Sequence, residues 1–208
     1  MSIHLEFLVE ELSAEVLLRG LIPKVAPEAT FEVRVFNGKQ ALLRKLSERL
    51  RGYASWISSA DTRIVVLVDR DDDDCHDLKS HLVSVAEAAG LSVASYAEQS
   101  QGLVLNRIVI EELEAWFLGD PNALTACYPR VPITYVSRAA YRDPDAIKGG
   151  TWEALERLLQ QSGYIKGGLA KVSIARELVE HMSLEENRLL SFQHFRDGLK
   201  FLAEAGVA

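Results

Sequence analysis

The chain has 208 residues, of which 48% are hydrophobic and 25% charged, a composition typical of a globular protein rather than a disordered or fibrous one. No apolar segment approaches the roughly 20 residues that a membrane-spanning helix needs, and the N-terminus lacks a signal-peptide pattern. We therefore expect a cytoplasmic protein without a membrane partner. Cys75 and Cys127 are too few for a disulfide framework, and neither has the spacing of a zinc site.

The formal net charge of −7 comes from one part of the chain. Residues 1–147 carry 15 Lys and Arg against 22 Asp and Glu, whereas residues 148–208 carry 8 of each. Six of the acids lie in the segment from Asp69 to Asp77. Carboxylates at such short separations repel one another unless water, protons or cations intervene. If metal ions neutralise this cluster, the remainder is close to neutral, so the net charge does not exclude a nucleic-acid partner.

The first part of the sequence alternates between strand and helix patterns. Residues 64–68 form a continuous apolar run, which favours a strand buried on both faces, as in the centre of a parallel sheet. This alternation predicts an α/β fold with a mostly parallel sheet, right-handed crossovers and helices on both faces. The predicted strands are 3–9, 31–36, 63–68 and 91–96, and the predicted helices begin near Leu12 and span 38–51 and 76–89.

The second part of the sequence is predominantly helical. An apolar segment at 103–110 leads into residues 110–118, after which helical patterns follow. We therefore divide the chain into an α/β core, residues 1–118, and a helical C-terminal extension packed on that core, residues 119–208. The helices predicted in the extension are 151–161, about 168–182 and about 188–204.

Acidic residues follow two of the predicted strands, where ligands bind in open α/β sheets. The first strand runs into Glu10 and Glu11, and the third runs into Asp69 and Asp71. Residues two apart in an extended chain point the same way, so we expect Asp69 and Asp71 to converge on one ion. Carboxylates suit Mg²⁺ or Mn²⁺, which stabilise the attacking and leaving oxygens in phosphodiester cleavage. The sequence thus indicates a divalent-metal site, with a solvated acidic turn as the alternative.

The spacing of residues in the acidic segment tests other interpretations of it. An EF-hand loop starting at Asp69 requires Gly at its sixth position and Glu at its twelfth, but these are Asp74 and Ser80. A phosphatase with an aspartyl nucleophile also uses two aspartates after a strand, and it stays open as an alternative. For Asp72 and Asp74 we expect solvated positions at a helix start, where the helix dipole favours negative charge.

Two motifs, at 7–15 and 66–73, resemble the Toprim pattern, in which a glutamate follows the first strand and Asp-x-Asp follows a later one. Within this superfamily the chain resembles small stand-alone bacterial Toprim-like proteins encoded beside ABC- or AAA-type ATPases and related to the nuclease part of overcoming-lysogenization-defect proteins. The resemblance implies a Toprim-like, Rossmann-like fold. It extends to further segments at 38–39, 111–120 and 191–195.

The resemblance also implies roles for individual acids. Glu10 resembles the Toprim glutamate, a metal ligand or general base. Asp69 and Asp71 resemble the catalytic, metal-binding Asp-x-Asp, with Asp73 as an extra metal ligand. The Toprim glutamate is commonly followed by glycine, whereas Glu11 follows here, so the choice between Glu10 and Glu11 as the ligand after the first strand stays open.

Further candidates lie elsewhere in the chain. Glu114, near an expected helix start, is either a surface acid or the residue that completes a second metal site. Lys39 follows Gly38 at a predicted helix N-terminus, a location suited to phosphate. Lys166 and Lys171 flank a Gly-Gly helix start and are candidate phosphate ligands, with plain solvated surface as the alternative. The remaining basic residues of the helix at 38–51 either extend the phosphate contact or form a solvated face: Arg44, Lys45, Arg49 and Arg51.

Together these features lead to the hypothesis of a Mg²⁺- or Mn²⁺-dependent endonuclease that hydrolyses DNA or RNA, with Glu10 assisting proton transfer from water. The resemblance alone adds a role as the effector of an anti-phage defence system with an ATPase partner. The alternative is a non-catalytic Toprim-fold subunit that binds an ATPase or a phage trigger through its helical C-terminal part. The number of metals and the formation of a homo-oligomer stay open.

Overall fold

The computed structural model of the protein describes residues 3–57, 61–147 and 149–204, which contain four strands and eight α-helices. The strands are β1 His4–Val9, β2 Thr30–Val35, β3 Thr62–Asp69 and β4 Val104–Val109. The helices between them are α1 Leu12–Val25, α2 Lys39–Ala54 and α3 Cys75–Ala88. The helices after β4 are α4 Glu114–Leu118, α5 Pro121–Cys127, α6 Thr151–Gln161, α7 Lys171–His181 and α8 Leu190–Glu204.

All four strands are parallel and lie in the order β2–β1–β3–β4, which confirms the predicted α/β fold with a parallel sheet. The chain moves outward from β1 to β2, then returns past β1 to form β3 on the other side. The strand order therefore reverses between β1 and β3. In open α/β sheets the crevice at such a switch point is where ligands bind, so the fold directs attention to the carboxyl ends of these two strands.

The prediction of a strand at 91–96 is wrong. This segment forms only two isolated bridges, Val93 with Val104 and Ser95 with Ser100. Leu91 and Ala94 are buried against neighbouring elements without any continuous ladder. The apolar pattern correctly indicated burial, but strand formation also requires an available partner edge, which local sequence does not specify.

Helices cover both faces of the sheet, as predicted. On one face, Leu46 of α2 and Leu82 of α3 share a hydrophobic core with Val66 of β3. On the other face, Val65 of β3 belongs to a core that includes Leu18 of α1 and the C-terminal helices. Neighbouring residues of β3 therefore enter two separate cores, as expected when successive side chains point to opposite faces.

The C-terminal helices pack on the α1 face of the sheet. The Trp116 ring of α4 lies 5.2 Å from the Phe192 ring of α8, and its indole N–H donates to Ser191 Oγ at 3.0 Å. Lys24 of α1 donates to the carbonyl of Val179 in α7 at 2.8 Å. One hydrophobic core thus spans both parts of the predicted division at residue 118, and the division itself stays a prediction.

Three of the C-terminal helices, α6 to α8, were expected from the sequence, and α5 is an addition. Its start has a clear local cause, because Asp120 accepts a hydrogen bond from the Ala123 N–H at 2.9 Å and Pro121 occupies the first helical turn. Within the described residues, no helix is long and apolar enough to cross a membrane.

Candidate metal centre

The strand order brings Glu10 and Asp69 together. Because β1 and β3 are parallel neighbours, with Val9 in register with Leu67, the chain leaves both strands at the same place on the sheet edge. The Asp69 N–H donates to Glu10 Oε1 at 2.8 Å, and Glu10 is only 8% exposed. Of the two glutamates after β1, Glu10 is therefore the one held against Asp69, whereas Glu11 is exposed.

Gly38 supports this arrangement from the end of β2. Its N–H donates to the Glu10 carbonyl at 2.8 Å while its φ is +104°, a backbone conformation that favours glycine. The glycine also precedes the first residue of α2, Lys39, as the sequence predicted. Glu10 is thus held through its main chain from the end of β2 and through its side chain from the end of β3.

Glu114 is the third acid at this place. It is the first residue of α4 and is 1% exposed, yet neither of its carboxylate oxygens has a hydrogen-bond partner in the described part of the chain. The Lys171 Nζ lies 3.6 Å from Glu114 Oε1, too far for a good hydrogen bond. Burial of a carboxylate without hydrogen bonds is costly, so this side chain is well suited to receive a cation.

These residues line one pocket of about 300 Å³, the open space at its mouth included. Lys171, the first residue of α7, is its principal positive charge, with its Nζ 3.8 Å from Glu11 Oε2 and 4.8 Å from the centre of the Trp152 ring. The charged residues lining the pocket are Glu10, Glu11, Asp69, Glu114 and Lys171.

Three acids that line the pocket have raised pKa values. Burial raises the pKa of Glu10 to about 7, and the negative charge of Asp71 adds to this effect. Burial also raises the pKa of Glu114 to about 7 against the opposing charge of Lys171. For Asp69, burial of the carboxyl and then the charges of Glu10 and Glu114 raise the pKa well above its usual range. The pocket therefore lacks sufficient positive charge for three carboxylates.

Asp71 lies beside the pocket rather than among the residues that line it, and its position differs from the one predicted. The extended-chain argument fails there because β3 ends at Asp69 and Asp71 has φ +50°, with its N–H donating to the Glu111 carbonyl at 3.0 Å. Its exposed carboxylate lies 3.3 Å from Lys39 Nζ. It is nevertheless close enough for its charge to raise the pKa of both Glu10 and Asp69.

The other aspartates of the acidic segment lie at the surface. Lys39 Nζ lies 2.7 Å from Asp73 Oδ2, so this candidate ligand is already paired with a lysine. Asp74 is the N-cap of α3 and accepts hydrogen bonds from the His76 and Asp77 N–H groups at 2.8 and 3.1 Å, which lower its pKa. Asp72 is exposed. The predicted solvated helix start at Asp72 and Asp74 is confirmed.

Strained backbone is concentrated at the same edge of the sheet. Asn37, Asp71 and Glu111 follow β2, β3 and β4, and have φ values of 55°, 50° and 60°. Such left-handed conformations are uncommon for residues other than glycine and accumulate at functional sites. Glu111 is further held by a salt bridge with Arg70. The chain thus turns sharply after three of the four strands, around the acid pocket.

The predicted phosphate ligands separate into two groups. Lys39 lies within 3.3 Å of the Asp71 carboxylate, and Lys171 lies within 3.6 Å of the Glu114 carboxylate. Lys166, in contrast, is exposed and outside the pocket lining. Two further residues were missed by sequence reasoning. Glu112 Oε2 accepts a hydrogen bond from the backbone N–H of Trp152 at 2.9 Å, which holds α6 beside the pocket. The Trp152 ring lies against Lys171. Local periodicity contains no signal for such distant contacts.

The described residues, 3–57, 61–147 and 149–204, contain no group of three His, Cys, Asp or Glu side chains arranged to hold a metal ion as it stands. The donor chemistry nevertheless fits a hard divalent cation, because the pocket offers carboxylate oxygens and those of Glu114 lack hydrogen-bond partners. Binding would require Lys171 to withdraw and the carboxylates to approach one another.

Comparison with known proteins gives one match. The family described as "Domain of unknown function (DUF4276)" matches residues 9–200, which include every element from α1 to α7 and most of α8. Searches of curated proteins and of solved structures each returned no match.

Proposed function

The chain belongs to the DUF4276 family, and we propose that it is a divalent-metal-dependent nuclease that hydrolyses phosphodiester bonds in DNA or RNA. The observation that carries the proposal is the grouping of Glu10, Asp69 and Glu114 in one pocket at the switch point of the sheet, with the Glu114 oxygens unpartnered. Acids in such a pocket either retain their protons or bind a cation, and phosphodiester hydrolysis is a reaction for which protein-bound divalent cations are widely used.

Mg²⁺ or Mn²⁺ is the ion that these residues suit. Glu10, Asp69 and Glu114 would hold it, with Asp71 beside the pocket as a further ligand and Asp73 reaching it only after release from Lys39. A bound divalent cation supplies positive charge for the oxygens that become more negative during phosphoryl transfer. Two lysines, Lys39 and Lys171, lie beside these acids and can neutralise a phosphate.

In the proposed reaction, residues of the pocket transfer the protons. Glu10 accepts a proton from water as the water oxygen forms its bond to phosphorus. The bond between phosphorus and the leaving oxygen breaks, and that oxygen takes a proton from Lys171 or from solvent. The products are a phosphomonoester and a free hydroxyl, so one water is consumed for each bond cleaved.

A role as the effector of an anti-phage defence system, acting in the cytoplasm with an ABC- or AAA-type ATPase, is the broader part of the proposal. Its support is the resemblance to small bacterial Toprim-like proteins. The non-catalytic alternative predicts binding to the ATPase or to a phage trigger without any metal-dependent cleavage.

The test is cleavage of plasmid DNA and of RNA by the purified protein with Mg²⁺ or Mn²⁺, alone and with an ATPase of the proposed ABC or AAA type. We expect cleavage that EDTA stops and that Asp69→Asn removes, with Asp72→Asn as a matched control from the same acidic segment. Failure of the wild-type protein to cleave in all of these conditions would reject the nuclease in favour of the interaction subunit.

A further inference from the structure

A second concave surface lies along α2, away from the acid pocket. We call it the α2 groove and define it by Arg34, Lys45, Glu48, Arg49, Tyr53 and Trp56. Its volume is about 1150 Å³, open space included, which is several times that of the acid pocket. We infer that the α2 groove binds a single-stranded segment of nucleic acid.

The charge of the groove suits a phosphate backbone. Arg34, Lys45 and Arg49 are exposed in it, although the whole chain has a net charge of −7. Of the two acids that line it, Glu6 is 5% exposed and its Oε2 already accepts hydrogen bonds from Tyr53 and Arg34 at 2.9 and 3.3 Å. Because Glu6 and Arg34 pair with each other, the remaining charges of the lining are Lys45 and Arg49 against the single acid Glu48.

One aromatic residue at the far end of the groove, Trp56, is exposed and suits stacking on an unpaired base, whereas the neighbouring Tyr53 is buried. Trp56 is 58% exposed, which is unusual for so large an apolar side chain. Its ring lies 5.5 Å from that of Tyr53 at an angle of 56°, so the Tyr53 ring packs beside the indole rather than stacking flat over it. Exposed aromatic rings combined with a basic groove are the means by which proteins bind single strands, because every base has a face that can stack. Paired bases in a duplex do not present that face.

The N-terminus of α2 lies at the same edge of the sheet as the acid pocket, although α2 and the helices that line the pocket cover opposite faces. The helix begins at Lys39, whose Nζ contacts Asp71 and Asp73 at the sheet edge. With a rise of about 1.5 Å per residue, Lys45 lies about 9 Å and Arg49 about 15 Å further along the helix axis. A strand that follows the groove from Trp56 along α2 therefore runs towards this edge of the sheet. The identity of this strand as the substrate rests on the proposed nuclease function.

The first measurement is the binding of fluorescently labelled oligonucleotides of about 12 nucleotides, a length within the range that single-strand binding surfaces cover. The solution contains EDTA, so that cleavage does not interfere. Single-stranded DNA and RNA of the same sequence form separate arms, and a duplex forms the third. We expect a single strand to bind at least about tenfold more tightly than the duplex, and Trp56→Ala to weaken this binding about tenfold.

The second measurement tests the cations. Loss of two phosphate contacts in Lys45→Ala/Arg49→Ala should reduce the slope of log affinity against log salt by about 1.4. The matched control is Arg44→Ala/Arg51→Ala, which removes the same charge from exposed positions on the same helix but outside the groove. The control should bind like the wild type. Equal binding by the wild type, Trp56→Ala and Lys45→Ala/Arg49→Ala, or equal losses in the test and control pairs, would overturn the inference.

Failure of the groove and failure of the nuclease are distinguishable. Asp69→Asn should bind the oligonucleotide normally in EDTA but not cleave it with metal. If the groove variants bind normally while wild-type cleavage still depends on Asp69, the groove inference fails and the nuclease stands. If Trp56→Ala loses binding while the wild type never cleaves, the groove stands and the nuclease fails.

Discussion

Aspartates occur at both the front and the rear of the acidic segment 69–77, but their surroundings differ. Asp69, at the front, lies in a pocket with two buried glutamates, and its pKa is raised. Asp73 and Asp74, at the rear, are exposed, and each is paired with a lysine or with backbone N–H groups. A run of acids therefore does not act as one unit, because desolvation and neighbouring groups set the pKa of each carboxylate separately.

Cleavage activity should give the largest contrast between the two ends. We expect Asp69→Ala to reduce the rate of metal-dependent cleavage at least about a hundredfold, since even residues that only orient metal ligands contribute 10- to 100-fold. Asp72→Ala, at an exposed position, should stay within about twofold of the wild type. The rates are measured on the same plasmid and RNA substrates, and a similar loss in both variants would contradict the distinction.

The pH dependence of stability should also separate the acid pocket, in which Glu114 lies with Asp69, from the rear of the segment. Between pH 4.5 and about 7, an unfolded chain ionises Glu114 while the folded, cation-free protein retains the proton, so rising pH favours unfolding. The loss from this group is roughly 3 kcal/mol if the pKa moves from 4.5 to about 7. Urea denaturation in EDTA at pH 5 and pH 8 measures it.

Glu114→Gln provides the matched comparison, because glutamine keeps the shape of the side chain and cannot ionise. This variant should lose less stability than the wild type between pH 5 and pH 8. Asp74 has a lowered pKa, so its own contribution has the opposite sign and is lost as pH falls. An unchanged pH profile in Glu114→Gln would mean that Glu114 is not the group concerned.

Divalent cations should stabilise the front of the segment selectively. At pH 8, Mn²⁺ or Mg²⁺ at 100 times its dissociation constant should add about 2.7 kcal/mol to the free energy of unfolding by mass action. Calorimetry with the metal ion alone checks this, and Glu114→Gln should lose most of the effect. Asp73→Asn should retain it, because Asp73 lies outside the pocket and is paired with Lys39.

The smallest expected effect belongs to the rear. Asp74→Ala removes the N-cap hydrogen bonds to His76 and Asp77, and loss of such a cap should lower the melting temperature by about 2–4 °C in a protein of this size. Cleavage and metal binding should be unaffected. A loss of metal binding in this variant would show that the two ends are coupled.

Much of the architecture follows from the sequence alone. The apolar run at 64–68 and the regular exchange of period-two and helical patterns specify the α/β class, since these signals reflect which side chains each local element buries. The placement of Glu10 and Asp69 at strand ends was likewise predictable. The predicted strand at 91–96 failed because pairing depends on a partner edge rather than on local pattern.

The tertiary structure decided the composition of the site. Strand order placed Glu10 against Asp69, and the packing of α4 and α7 buried Glu114 beside Lys171. A left-handed turn, not strand periodicity, set the position of Asp71. These outcomes depend on contacts between residues far apart in the chain, and the cost of a buried charge exists only once those contacts have removed water. The sequence by itself therefore determined most of the elements and the acids at their ends, and the assembled fold determined which of those acids are buried without a partner.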